Sequence, residues 1–578
     1  MEGSLEHRGP DDRGMYLSPD GRCGLTNTRL AILDLSAAGH QPMRSADGRR
    51  VIVFNGEIYN FLELRKELEA AGAVFRSQSD TEVVLSLYER HGPACVERLR
   101  GMFALAVWDE QAGTCFLARD PLGIKPLYYY HDEAAGVLAF ASEIRSLLAT
   151  GLVPKRLDAQ GLYGYFRSGS VPEPLTMIAG VRCLEPGTRM QWDAGRITRD
   201  RFWTLRFGSG PTETDAENAA TVRGALADSV EHHFVSDVNV GLFLSGGIDS
   251  TALLALARAN GRENVRTFSI GFDDDLAADE SGIARRTAAH FGAQHAEWRL
   301  DRASGRALFD EFLPCIDQPS VDGFNTYAVS RFTREQGIKV ALSGLGGDEL
   351  FGGYPSFQQL PRMVALSRRL GPLRGMAGGV LAALAGSPSW RRMGDFLRQP
   401  PTLGNAYTAY RGIHTDAEAR ALVARFTNFD PATLSTPDEG HATGYATAAD
   451  EISALELQRY MSNQLLRDSD VMSMANGLEL RVPFVDRRLV ETIARLPAAQ
   501  RLQSGKGLLL RAVPEVPEWV AGQPKRGFLF PFEKWMAGDW GGAPAVVPGS
   551  KAAKQAGRTW YQKWSVFVFE HWWRQFSS

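Results

Sequence analysis

Val238-Asn239-Val240-Gly241-Leu242-Phe243-Leu244-Ser245-Gly246-Gly247-Ile248-Asp249-Ser250 is the stretch that decides the fold. A near-continuous apolar run reads as a strand buried on both faces, and the residues after Ser250 read as a helix. A glycine turn between such elements presents backbone N–H groups to an anion at the helix N-terminus. Its glycines allow close approach, the Ser245 and Ser250 hydroxyls add donors, and Asp249 is suited to hold Mg²⁺. The chain has no GxxxxGK[ST] sequence, the loop that accompanies γ-phosphate transfer, so cleavage at an α-phosphate is the favoured chemistry. The structural alternative, a plain strand-to-helix turn, loses ground to the context.

Outward from this loop the rhythm repeats. A strand at 265–272 precedes a helix near Asp279 to Phe291, and a strand at 339–342 runs into Ser343-Gly344-Leu345-Gly346-Gly347-Asp348-Glu349. Strand-helix alternation predicts an α/β doubly wound parallel sheet with ligands at the carboxyl ends of its strands. Both glycine turns lie at such ends and can grip one triphosphate and its metal. Beyond about Pro361 the chain reads as mostly helical, closing in an aromatic segment, Trp560 to Phe576, that predicts a packed helix. Before the loop, apolar runs at 51–54, 102–108, 114–118 and 137–141 predict strands, and 61–71 and 81–91 carry helical spacing. That domain is mixed α and β. Gly, Pro and Arg are frequent from about Pro172 to Gly208, with turns at Glu185-Pro186-Gly187 and Gly208-Ser209-Gly210-Pro211. The expected division is 1–190, a linker at 191–215, and 216–578.

The 578 residues exceed what one core serves. The net charge of -3 and pI near 6.5 give no electrostatic reason to expect nucleic acid or an anionic membrane, so small-molecule substrates are the expected partners. A homodimer stays open. Five scattered cysteines without a CxxC pair fit a reducing cytosol. The longest apolar run, 375–386, falls short of the ~20 residues a membrane span needs, and Met1-Glu2-Gly3-Ser4 lacks a signal-peptide core. A soluble, cytoplasmic protein is expected.

The two loops, together with the run expected to be helical from Ser473-Met474-Ala475 through Glu479-Leu480-Arg481-Val482-Pro483-Phe484-Val485-Asp486, resemble asparagine synthetases and their amidotransferase relatives over nearly the whole chain. The resemblance implies ATP among Leu244, Ser245, Gly246, Gly247, Asp249, Ser250, Ile270, Ser343 and Gly344, with Asp249 and Asp348 on Mg²⁺. It also implies that Lys506, otherwise a solvated surface lysine, stabilises charge developing during adenylation or ammonia attack. In the first domain, Arg8-Gly9-Pro10-Asp11, Arg29, Asn55-Gly56-Glu57, Ser79-Asp80 and Arg119-Asp120 through Tyr128 resemble class II glutaminase domains. This implies an Ntn-hydrolase-like αββα sandwich truncated at its start. Arg29 would pair with the glutamine carboxylate, Glu57 and Asp80 would hold its amino end, and Asn55 with the Gly56 N–H would form the oxyanion hole.

Two departures matter. The family nucleophile is a cysteine directly after the initiator Met, and Glu2 stands here. Either the true start lies upstream with that cysteine, which the retained pocket favours, or the domain has lost glutaminase activity, as in β-lactam synthetases and lasso-peptide cyclases. As written, the chain is expected to use free ammonia. Leu345 occupies the adenylate-supporting position where the family usually has glutamate, which weakens aspartate as acceptor; the alternative is that another acid, such as Glu349 or Asp322, does that work. The expected function is ATP-dependent amidation of a carboxylate, foremost aspartate, through an acyl-adenylate. The alternatives are a sugar or secondary-metabolite carboxylate as acceptor, a β-lactam-synthetase-like cyclase, or a catalytically silent nucleotide-binding protein.

Overall fold

The computed structural model describes residues 1–578 apart from 209, 211–212, 274–279, 385, 436–444, 524–529, 533–534, 536–558 and 578. In the first domain, an antiparallel six-stranded sheet runs in the order Arg196–Arg201, Thr188–Asp193, Thr114–Arg119, Gly101–Asp109, Arg50–Ile58, Met43–Arg44. Its period-two alternation buries both faces. Ile52, Phe54, Leu105 and Phe116 pack on Leu64, Leu68, Val84 and Leu87 of the helices Phe61–Ala70 and Asp80–His91. Val51, Val53, Ala106 and Leu117 face Leu127, Tyr129 and Leu184 on the other side. A second, three-stranded sheet orders Val137–Ala141, Tyr128–Asp132 and Val181–Cys183.

The hairpin Thr188–Asp193/Arg196–Arg201 runs into the stretch expected to be linker from 191, so sheet structure continues through Arg201. Residues 202–214 then lead to the helix Asp215–His233. Ser209 and Pro211 of the expected turn lie outside the described residues, as does Asp279 of the expected helix.

The sheet of the second domain is parallel throughout, in the order Gln294–Leu300, Arg266–Phe272, Val240–Phe243, Val340–Leu342, Glu479–Arg481. The first of these strands in the chain lies in the middle, so the order reverses between Val240–Phe243 and Val340–Leu342 and opens a crevice at their carboxyl ends. Helices Asp215–His233 and Ile248–Ala259 bury Val222, Leu226, Leu253 and Leu256 with Leu242 and Leu342. Ile270 and Phe272 instead join a core with Phe324, Tyr327, Trp564, Phe567 and Trp572, the last three from the terminal helix Trp560–Ser577.

The run 473–486 is not helical as expected. The helix Arg467–Met474 stops before Gly477, which adopts φ 60°, and Glu479–Arg481 pairs in parallel with Val340–Leu342. A left-handed residue ends a helix, and glycine adopts it at the lowest cost.

Candidate active site

A cavity of about 1110 Å³ opens at the crevice where the strand order reverses. Leu244, Ser245, Gly246, Gly247, Asp249, Ser250, Ile270, Ser343 and Gly344 all line it, and so do Leu345, Asp348 and Lys506. The first loop is tied to itself: the Ser245 N–H donates to Ser250 Oγ at 3.2 Å and the Gly247 N–H to Ser245 Oγ at 3.1 Å. The second loop starts where the Ser343 N–H donates to the Arg481 carbonyl at 2.8 Å, so the short strand Glu479–Arg481 sets its position. The loops touch closely. A Cβ on Gly347 would overlap the Asp249 carboxylate, and one on Gly353 would overlap that of Asp348.

Lys506 is buried at 5% exposure, not a surface lysine. Its Nζ lies 2.6 Å from both Asp249 carboxylate oxygens and 2.5 Å from Asp348 Oδ1. Burial pulls the ammonium down, but the two carboxylates outweigh it and hold Lys506 above its ordinary range. The residue also adopts a left-handed backbone, φ 59° and ψ 39°, a conformation that costs a side-chain-bearing residue on the order of 1–2 kcal/mol.

Arg411, Tyr460 and Gln464 line the cavity and escaped the sequence reading. Arg411 lies over the rings of Tyr354 and Tyr460, 4.5 and 3.9 Å from their centroids, and donates to Glu456 at 2.8 Å. Tyr460 and Gln464 come from a π-helical stretch, Glu456–Leu466, a geometry that recurs at functional sites. Glu349 is 1% exposed and lines the cavity; burial first, then the Asp348 charge, pushes its carboxyl up to about 8. The Tyr354 hydroxyl donates to it at 2.9 Å. Asp322 lines the same cavity, and burial raises its carboxyl. A buried, charged run such as Asp468-Ser469-Asp470 was the available signal for this polar interior.

The other expected set lies in the first domain. Asn55, Gly56 and Glu57 share one strand, and Asn55 Nδ2 donates to Ser142 Oγ at 3.2 Å. Asp80 accepts from the Ile58 N–H at 3.0 Å, which brings its carboxylate beside Glu57; burial pushes Asp80 up to about 6. Arg29 donates to the carbonyls of Leu33, Asp34 and Ser36. Glu57 Oε2 accepts from Arg481 at 2.7 Å, while Glu57 Oε1 is buried without a hydrogen-bond partner among the described residues. Burial raises the Glu57 carboxyl, Arg481 pulls it back and Asp80 adds to the rise.

Arg481 ends a chain of buried charges between the domains. Glu143 pairs with Arg8 at 2.9 Å, Arg8 with Asp470 at 2.7 Å, Asp470 with Lys125 at 3.2 Å, and Lys125 approaches Glu479 at 3.9 Å. Glu479 pairs with Arg481 at 2.9 Å. Alternating signs satisfy charges that would be costly to bury singly. Through Arg481, the Glu57–Asp80 pair and the second glycine loop share one residue.

Residues 1–203 match the glutamine amidotransferase domain family, and residues 221–541 match the asparagine synthase family. A Mycobacterium tuberculosis protein assigned by name to the glutamine-hydrolysing asparagine synthetases is 37% identical over 576 residues, covering 95% of this chain and 86% of the relative. Glutamine-hydrolysing asparagine synthetase 1 of Bacillus subtilis is 33% identical over 93% of this chain and 84% of its own length. Amidase chry2 of Gibberella zeae is 28% identical over 93% and 86%. Among described residues no helix is long and apolar enough to cross a membrane. With both domains matched in order and two bacterial relatives aligned along most of their length, the chain belongs to the asparagine synthetase family of amidotransferase ligases.

Proposed function

We propose that the protein activates a carboxylate, foremost that of aspartate, with ATP and converts it to an amide. The acceptor oxygen attacks the α-phosphorus and pyrophosphate leaves; ammonia then attacks the acyl-adenylate, AMP departs and one proton is released. The observation that carries this reading is the convergence of Asp249, Asp348 and Lys506 between two glycine loops at the crevice. The loop N–H groups and the Ser245 and Ser250 hydroxyls bind phosphate oxygens, and the Lys506 ammonium stands where charge develops. Two carboxylates around one cation are a donor set that fits Mg²⁺, which takes one or two carboxylates and completes its shell with phosphate and water oxygens. Held by Asp249 and Asp348, Mg²⁺ would supply the charge that neutralises departing pyrophosphate.

For nitrogen, the buried Glu57 Oε1 and neighbouring Asp80 suit an ammonium group, and the Arg29 guanidinium suits a carboxylate. Burial pushes the thiols of Cys23 and Cys95 up to about 12 and raises those of Cys115, Cys183 and Cys315, which makes these five poor nucleophiles. Free ammonia is the nitrogen source of this reading, with glutamine as its alternative. Leu345 in the cavity wall favours a second reading, in which a carboxylate other than aspartate is the acceptor.

The test is pyrophosphate release with ATP, Mg²⁺ and aspartate, comparing ammonium with glutamine and detecting asparagine by mass spectrometry. Asparagine from ammonium alone is the expected result. Pyrophosphate release without asparagine moves the assignment to another acceptor, and no pyrophosphate with any carboxylate overturns it.

A further inference from the structure

The helix Arg374–Leu384 is apolar on both sides. Its inner side is closed onto the helix Pro388–Leu397: Gly378 is buried, and a Cβ there would come within 2.6 Å of the Gly394 carbonyl oxygen. Its outer side carries Met376, Val380 and Leu384, preceded by Leu373, and these four are 67%, 54%, 80% and 60% exposed. Spacings of three and four residues put them in one stripe along the helix. Leu366 on the preceding helix Ser356–Leu370 and Trp390 on the following one are exposed as well. A scattered exposed leucine is ordinary, but six large apolar side chains within 25 residues form a patch that calls for a cover.

The charge around the stripe says what covers it. Residues 362–398 hold seven arginines and one acid, Asp395, in a chain whose net charge is -3. Arg362, Arg368, Arg369 and Arg398 are exposed. Of the other three, Arg391 pairs with Glu418, while Arg374 and Arg392 donate to backbone carbonyls. A second copy of the chain is a poor cover, because a two-fold interface sets the same arginines against each other. An anionic surface matches them. Eleven residues at ~1.5 Å rise span far less than the ~30 Å hydrocarbon core, so the helix is long enough only to lie in the interface.

We propose that this hairpin, from Leu366 to Trp390, docks the protein on a membrane surface rich in anionic phospholipid. The Leu373–Leu384 stripe enters the acyl boundary, and the exposed arginines meet the headgroups. The net charge of the whole chain, which argues against a membrane partner, averages this local cluster away. Ser387, Pro388 and Ser389 of the same hairpin line the cavity, so docking sets one wall of the active site at the bilayer surface.

The experiment is co-sedimentation of the full-length protein with phosphatidylcholine vesicles, with and without phosphatidylglycerol, at low and high salt. Binding to the anionic vesicles alone, weakened by salt, is expected. Arg368→Gln with Arg369→Gln should weaken it roughly 30-fold, since each basic residue near an anionic surface contributes about a factor of five. Val380→Glu with Leu384→Glu should abolish binding while pyrophosphate release stays at the wild-type rate, which reports an intact fold. Absence of binding to anionic vesicles, or unchanged binding by both double variants, overturns the proposal. So does a lipid-free dimer that dissociates in the Val380→Glu, Leu384→Glu variant, because the stripe is then an interface between copies.

Discussion

Lys506→Met separates the electrostatic from the conformational role of the residue at the centre of the cavity. Methionine keeps much of the side-chain length, and the left-handed backbone strain stays in both proteins, so it cancels. What changes is the ammonium that lies 2.6 Å from Asp249 and 2.5 Å from Asp348. Removing one partner of a buried charge cluster costs roughly 3–5 kcal/mol, because the charges left behind have lost their solvent. In a domain of this size that lowers the thermal midpoint by roughly 5–10 °C. In EDTA the full drop should appear. With Mg²⁺ present, a divalent ion restores the counter-charge and should recover more of the midpoint in the variant than it adds to wild type. Pyrophosphate release should fall about 10²–10³-fold, the usual cost of losing one preorganised charge at a reacting centre. Differential scanning fluorimetry with and without Mg²⁺, beside a pyrophosphate assay, reads both quantities. Release within threefold of wild type, or equal Mg²⁺ stabilisation of the two proteins, would refute the reasoning.

Asp249→Asn should abolish pyrophosphate release and leave the circular dichroism spectrum unchanged, since it removes a charge and no core volume; normal turnover would sink the metal assignment. Arg481→Met should cost roughly 3–5 kcal/mol by stripping Glu57 and Glu479 of their shared cation. Adding Glu57→Gln should give part of that back, and strictly additive midpoints would show that the pair is uncoupled. Glu349→Gln tests the raised carboxyl: below pH ~4.5 both folded and unfolded wild type are protonated and the two proteins should match. From there to about 8 only the unfolded carboxyl ionises, so wild type loses stability as pH rises and the variant should gain, by up to about 4 kcal/mol near pH 7.5. A difference in stability that does not vary between pH 4.5 and 8 would rule this out.

The nucleotide loops were readable because their signals are local: an apolar run, a glycine turn and a helix are adjacent in the chain. Strand Val137–Ala141 was legible for the same reason. The hairpin ending at Arg201 was not, because its last strand reads Arg-Ile-Thr-Arg-Asp-Arg on an exposed sheet edge and lacks alternation. Glu479-Leu480-Arg481 carries charge at both ends, and the partners that bury those charges, Lys125 and Glu57, lie more than 350 residues away. Lys506 reads as a surface lysine until Asp249, 257 residues earlier, is brought to it. Pairings at that distance leave no trace in local spacing. The arginine-fringed stripe was hidden differently, by summing charge over 578 residues when 37 of them carry the imbalance.

The chain of buried charges also sets an order of assembly. A ribosome delivers Arg8, Glu57 and Lys125 early, but their partners Asp470, Glu479 and Arg481 emerge only after some 280 further residues of the second domain. Until then the nascent first domain holds ions that it cannot bury and keeps them wet. The second domain waits as well, because the strand that completes its sheet, Glu479–Arg481, carries two of those partners, and contacts so distant in sequence close slowly. Both halves therefore mature together only once residue 481 has emerged, and a chain cut short before it carries an unfinished seam.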